Sequence, residues 1–142
     1  MQKLASECLI VYASTGITAS TTEVVGDVRK GREDDRTGYD AMEARYMAIY
    51  DQAEPAIQAG DWPTVGRLAN ENHALLQDLG VSCVELDTLV DAARAAGAIG
   101  AKMSGTGRGG LMLAITPDAA TQDAVAAALE KIAPQVWKTS FA

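Results

Sequence analysis

Gly100-Ala-Lys-Met-Ser-Gly-Thr-Gly-Arg-Gly-Gly-Leu-Met-Leu-Ala-Ile115 is the stretch around which the rest of the chain is read. Glycines stand at 100, 105, 107, 109 and 110. Each one adds conformational entropy that folding must remove. Such a cluster is costly unless the backbone needs dihedrals other residues avoid, or must approach another surface closely. Exposed amides in such a loop suit an anion such as a phosphate. Residues 99–103 lead in and residues 111–115 lead out as short apolar runs, which predicts two strands joined by a glycine loop.

Three familiar phosphate loops can be tested against this context. Gly105-x-Gly107-x-x-Gly110 has the spacing of the dinucleotide fingerprint, but that motif opens a helix, whereas Leu111 onward continues as a strand. Gly105 and Gly110 have the Walker spacing, yet Leu111-Met112 replaces the required Lys-Ser/Thr. The protein-kinase loop does sit between strands, but no phosphate-pairing lysine follows and the H-R-D and D-F-G sequences are missing. A ligand-free strand-loop-strand turn is the plain alternative, although four glycines in residues 105–110 exceed what a hairpin needs.

Upstream, residues 8–13 (C-L-I-V-Y-A) form a continuous apolar run and predict a buried strand. Ser20-Thr-Thr-Glu23 is a capping box opening a helix that Gly31 should end, and residues 31–38 read as a charged loop. Met42, Tyr46, Ile49, Tyr50, Ala53 and Ile57 then line one face of a long helix stopped by Gly60. Asp61 caps the next helix, with Pro63 in its first turn and Val65, Leu68, Ala69, Asn72, Leu75, Leu76 and Leu79 as its buried stripe. Ser82-Cys-Val-Glu85 reads as a second capping box, ahead of Leu86, Leu89, Val90 and Ala93. After the glycine stretch, Thr116-Pro-Asp118 begins a last helix with Thr116 as the capping hydroxyl, and residues 136–141 form a final strand. The order β-α-α-α-α-β-β-α-β predicts an α+β fold: an antiparallel four-stranded sheet covered by helices.

At 142 residues the chain is expected to form one domain, residues 1–142, and its 48% hydrophobic content places it among globular proteins. A net charge of −7 with scattered Lys and Arg gives a nucleic-acid partner no electrostatic support. No apolar stretch has the length of a membrane span, and a cytoplasmic location is expected. Cys8 and Cys83 lack metal spacing and read as reduced structural thiols. His73, the sole histidine, is read as a helix-packing or capping residue beside a possible general base. Lys102 reads as a snorkelling surface lysine and Trp62 and Trp137 as packing residues, while nothing fixes Asp34-Asp35 as a magnesium site.

Ile99-Gly-Ala-Lys-Met-Ser-Gly-Thr-Gly-Arg-Gly-Gly110 resembles the third, glycine-rich motif of the GHMP small-molecule kinases, the superfamily of galactokinase, homoserine kinase, mevalonate kinase and phosphomevalonate kinase. Within it the chain is most similar to the mevalonate kinase family, because three further segments agree in order. These are Thr15-Gly16 with Ser20-Thr21 and Val25-x-x-Val28-Arg29; Asn72-His73-x-Leu75-Leu76-x-x-Leu79-Gly80-Val81-Ser82; and Leu86-Asp87-x-Leu89-Val90 with Ala95-Ala96-Gly97-Ala98. Thr106 and Arg108 depart from the common alanine and glycine of the motif and read as subfamily character.

The resemblance implies the fold of the C-terminal domain of these kinases and a part in ATP-dependent phosphorylation of mevalonate, a step toward isoprenoids. It covers only the C-terminal half. The family's ATP-phosphate loop, catalytic lysine or aspartate and magnesium ligand belong to the N-terminal half and have no counterpart here. No catalytic residue and no metal ligand are therefore expected in this chain, and ATP and Mg2+ are expected only together with an N-terminal half. By resemblance Gly105, Thr106, Gly107, Arg108, Gly109 and Gly110 flank the nucleotide phosphates, with the Arg108 guanidinium facing either phosphate or solvent. Ser20 and Thr21 match the hydroxyl pair on the small-molecule substrate side. The implied partner is an N-terminal kinase half, or a second copy through the face that a missing half would leave exposed. A non-catalytic binding module of the same fold, or a sister GHMP kinase, is the alternative.

Overall fold

The apolar run that opens the chain becomes an interior strand, β1 (Cys8–Ser14), in a computed structural model that describes residues 8–16, 21–80, 82–104 and 110–141. Four helices follow: α1 (Thr21–Asp34), α2 (Arg36–Ala59), α3 (Trp62–Asp78) and α4 (Val84–Ala95). Then come β2 (Gly100–Ser104), β3 (Leu111–Thr116), α5 (Ala119–Glu130) and β4 (Gln135–Phe141). The four strands make one antiparallel sheet in the order β2-β3-β1-β4. The expected α+β architecture and element order are what the chain adopts.

Register assigns each face of the sheet, because directly paired residues point the same way. Ala101, Ala114 and Val11 form one row across the sheet, and Met103, Met112 and Ala13 the next. Both rows are buried under α4 and α5, whose Leu86, Leu89, Val90, Ala93, Val125, Ala126 and Leu129 complete the main core. Burying each larger side chain contributes about 1.5–3 kcal/mol. The opposite face carries the row Lys102, Leu113, Tyr12 and Trp137. A smaller cluster of Cys8, Ile10, Ala69 and Ile115 covers part of that face. Trp137, expected as a packing residue, is about half exposed there. At the far end of the sheet Cys8 pairs with Phe141.

Several local expectations are corrected. Gly31 does not end α1, which runs on to Asp34: its φ is not positive, and the glycine makes room for the Tyr39 hydroxyl instead. The charged stretch 31–38 is helical except at Asp35, which caps α2 by accepting from the Gly38 amide at 3.1 Å. Helix α4 is capped by Cys83 without a side-chain hydrogen bond, because the Ser82 hydroxyl donates to Asp87 instead, at 2.7 Å. The α5 cap is Asp118, accepting from the Thr121 amide at 2.7 Å. Thr116 remains in β3 and donates to the Leu9 carbonyl. The capping box proposed at Ser20 lies outside the described residues. Finally, the apolar stripe of α2 is only partly covered, with Tyr46, Tyr50 and Ile57 exposed.

Candidate functional site

Ser104, Leu111, Ser14 and Gln135 are register partners in a row, so β1 and β2 leave the sheet at the end where β3 and β4 enter it. Ser104 and Leu111, which bracket the glycine stretch, therefore stand beside the exit of β1. One joint ties the two segments. The Thr15 amide donates to the Gly110 carbonyl at 2.8 Å, and the Thr15 hydroxyl donates to the same oxygen at 3.2 Å. Gly110 holds φ +82°, a left-handed conformation that L side chains disfavour. Of the expected phosphate-side residues, Gly110 stands at this joint, while Gly105, Thr106, Gly107, Arg108 and Gly109 lie outside the described residues. On the substrate side, Thr21 opens α1 and Ser20 lies outside the described residues.

The strand that leads into the glycine stretch, β2, is an edge strand sealed by side chains. β2 has a neighbour on one side only, and an open edge leaves amides and carbonyls that seek partners. Here α3 and α4 supply them. Asn70 accepts from the Ala101 amide at 3.0 Å and donates to the Ile99 carbonyl at 3.3 Å. Arg94 donates to the Ala101 carbonyl at 3.0 Å. His73 Nδ1 accepts from the Met103 amide at 3.1 Å. The contact of α3 with β2 is close enough that Gly66 and Gly100 meet backbone to backbone. Gly100 thus serves helix packing and not the loop.

The ring of His73 is 1% exposed, and its two nitrogens have fixed roles. Because Nδ1 accepts from Met103, the neutral ring carries its proton on Nε2, which donates to Asp87 Oδ1 at 2.9 Å. Burial pushes the imidazole below its ordinary value, against the opposing pull of Asp87. Burial also works to raise Asp87, but hydrogen bonds from Ser82, Gln77 and His73 outweigh it and hold the carboxyl below its usual range. The chain Ser82–Asp87–His73–Met103 therefore keeps a neutral, oriented imidazole against the strand one residue before Ser104. Sequence reasoning placed His73 in a packing role but missed Asn70, Asp87 and Arg94. The signal available was a pair of polar residues, Asn70 and His73, spaced three apart and so on one face of α3.

Lys102 is not the surface lysine expected. It is half-buried on the open face of the sheet, and burial lowers the pKa of its ammonium. Both cysteines are free, and burial raises both thiols. Among the described residues there is no cluster of three or more His, Cys, Asp or Glu that could hold a metal. No helix among them is long and apolar enough to cross a membrane. Next to Thr15 lies a cavity of about 190 Å³ lined also by Val84, Thr88, Leu89 and Ile132. Apolar residues are exposed near this end of the sheet: Val84 (77%), Ile132 (50%) and Leu111 (39%).

An antiparallel sheet backed by two helices, with an edge strand sealed by side chains, defines the class as an α+β domain. The chain belongs to the family of GHMP kinases C terminal, whose model matches residues 53–135. Over 139 residues it is 36% identical to mevalonate kinase of Thermococcus onnurineus, covering 94% of this chain and 42% of that protein. The structure of L. major mevalonate kinase in complex with R-mevalonate superposes with a TM-score of 0.93 at 36% identity, over 98% of this chain and 44% of that one. Streptococcus pneumoniae phosphomevalonate kinase, with a TM-score of 0.80 at 16% identity over 99% of this chain and 42% of that one, shares the fold. The chain thus spans less than half the length of these relatives.

Proposed function

We propose that residues 1–142 form the C-terminal domain of a mevalonate kinase-type phosphotransferase, which moves the γ-phosphate of ATP to the 5-hydroxyl of mevalonate when joined to an N-terminal half. The observation that carries this reading is the Thr15–Gly110 joint, which brings the segment toward Thr21 and the base of the glycine loop to one end of the sheet. Phosphoryl transfer depends on positioning and electrostatic stabilisation more than on covalent chemistry. In this reading the residues from Gly105 to Gly110 form one wall of a two-part site, where small residues let the backbone approach the phosphates and a second polypeptide. Arg108 offers a guanidinium suited to bidentate contact with phosphate. Ser20 and Thr21 offer hydroxyls to the acceptor, with Thr21 the stronger candidate.

ATP enters this reading as a substrate, bound mainly by the other half. Magnesium is read as belonging with that half too, where the resemblance to the family puts its acidic ligand. Val84, Leu111 and Ile132 are the apolar residues a second half would cover. The test is reconstitution. The purified chain alone should show no kinase turnover, and mixing it with the N-terminal half of a mevalonate kinase should produce ADP release that requires mevalonate. A correctly folded pair that releases no ADP would rule the reading out.

A further inference from the structure

Away from the glycine loop, a cleft of about 300 Å³ opens between α2, α3 and the uncovered face of the sheet. Its walls are apolar and aromatic, with Tyr46 and Tyr50 from α2, Leu68 from α3 and Leu113 from β3. Two polar side chains interrupt them. Asn72 is 9% exposed, and among the described residues nothing hydrogen-bonds its amide. Lys102, half-buried, lines the same cleft, and among the described residues no carboxylate lines it to balance the ammonium. Every ion pair among the described residues lies elsewhere. An ammonium and an amide that face an apolar cleft without a protein partner are available to a ligand that can accept from both.

We propose that this cleft binds a small amphipathic monoanion: an apolar chain of medium length ending in one carboxylate. Charge complementarity selects the anion, because among the described residues Lys102 is the only charged one lining the cleft. The carboxylate has one oxygen for the ammonium and one for the Asn72 amide, whereas a phosphate dianion would bring more charge than one lysine balances. The apolar walls select the chain. The volume lies at the low end of the range for small-molecule sites, about 300–1,000 Å³, which excludes a long lipid. This site is independent of phosphoryl transfer and requires neither ATP nor mevalonate.

The test is calorimetric titration of the 142-residue chain with octanoate, set against 1-octanol, octylamine and inorganic phosphate. Octanoate is expected to bind once per chain, with the other three at least tenfold weaker. Lys102→Met should weaken octanoate at least tenfold and leave 1-octanol unchanged, while Lys102→Arg should retain octanoate. Asn72→Asp supplies the ammonium with an internal counter-ion and should abolish octanoate binding, a second measurement should Lys102→Met fail to fold. No saturable binding, equal binding of octanoate and 1-octanol, or octanoate binding indifferent to both Lys102→Met and Asn72→Asp would overturn the proposal. Tight binding of phosphate alone would do so too, since it would show that the apolar walls are not read.

Discussion

Gly66 and Gly100 leave each other no room for a β-carbon: one built on Gly100 runs into the Gly66 backbone, and one built on Gly66 meets the backbone of Ile99 and Gly100. Helix and edge strand are in direct main-chain contact at this point. Gly100→Ala must therefore push α3 off β2 and is expected to cost about 3 kcal/mol or more in urea unfolding. Gly26→Ala is the control. Nothing lies within 4 Å of a β-carbon there, in the interior of α1, so the substitution should stabilise by about 0.5–1 kcal/mol. Equal effects of the two would show that the contact is not tight.

Protonation of His73 should loosen β2. The folded-state pKa lies below the ordinary 6.5 because of burial, so the unfolded chain binds more protons between the two values. Stability then rises with pH across that window and falls as the pH drops below about 6.5. One such group changes stability by at most about 1.4 kcal/mol per pH unit. Asp87 contributes in a lower window: its depressed pKa adds stability above 3.8 that is lost on further acidification. The proton that arrives on the ring goes to Nδ1 and displaces the Met103 amide. Urea midpoints at pH 7.5 and 5.5 should differ for the natural chain and converge for His73→Gln.

Asn70 closes two backbone groups with one amide. Asn70→Leu should cost about 2 kcal/mol for the two lost bonds and expose the edge to strand pairing with other copies. Light scattering on heating would report that assembly. Asn70→Asp keeps the acceptor for Ala101 but sets a carboxylate against the Ile99 carbonyl, so it should destabilise without restoring the edge.

The Thr15 hydroxyl tests the link between the two loop segments. In the reconstituted kinase, Thr15→Val should lower kcat about tenfold or more through mispositioning of the loop base, with the melting temperature of this chain nearly unchanged. Thr15→Ser should restore the rate. A parallel fall in melting temperature would mean that the bond serves the fold alone.

The strands and the order of elements were readable because apolar runs such as 8–13 and 111–115 announce themselves locally. Helix starts misled where a hydroxyl stands near a competing partner. Ser82 is taken by Asp87, and Thr116 by the Leu9 carbonyl across the sheet. The sealed edge was illegible because its partners lie far apart in sequence: Asn70 and Ala101 are 31 residues apart, His73 and Met103 are 30. The uncovered stripe of α2 has a related cause. Periodicity reports which face is apolar, not whether anything packs on it.

The pairing of Cys8 with Phe141 has a consequence for how another polypeptide could be attached. The first and last residues of the sheet sit side by side at the end remote from Gly110. A segment that enters the sheet at Cys8 does so about 20 Å from Gly110, the length of a seven-residue strand. About six extended residues span that distance, so the length of chain kept ahead of Cys8 decides whether an attached polypeptide can reach Gly110. A shorter tether would hold its cargo at the wrong end of the sheet, so linker length alone can separate a docked arrangement from one that is merely attached.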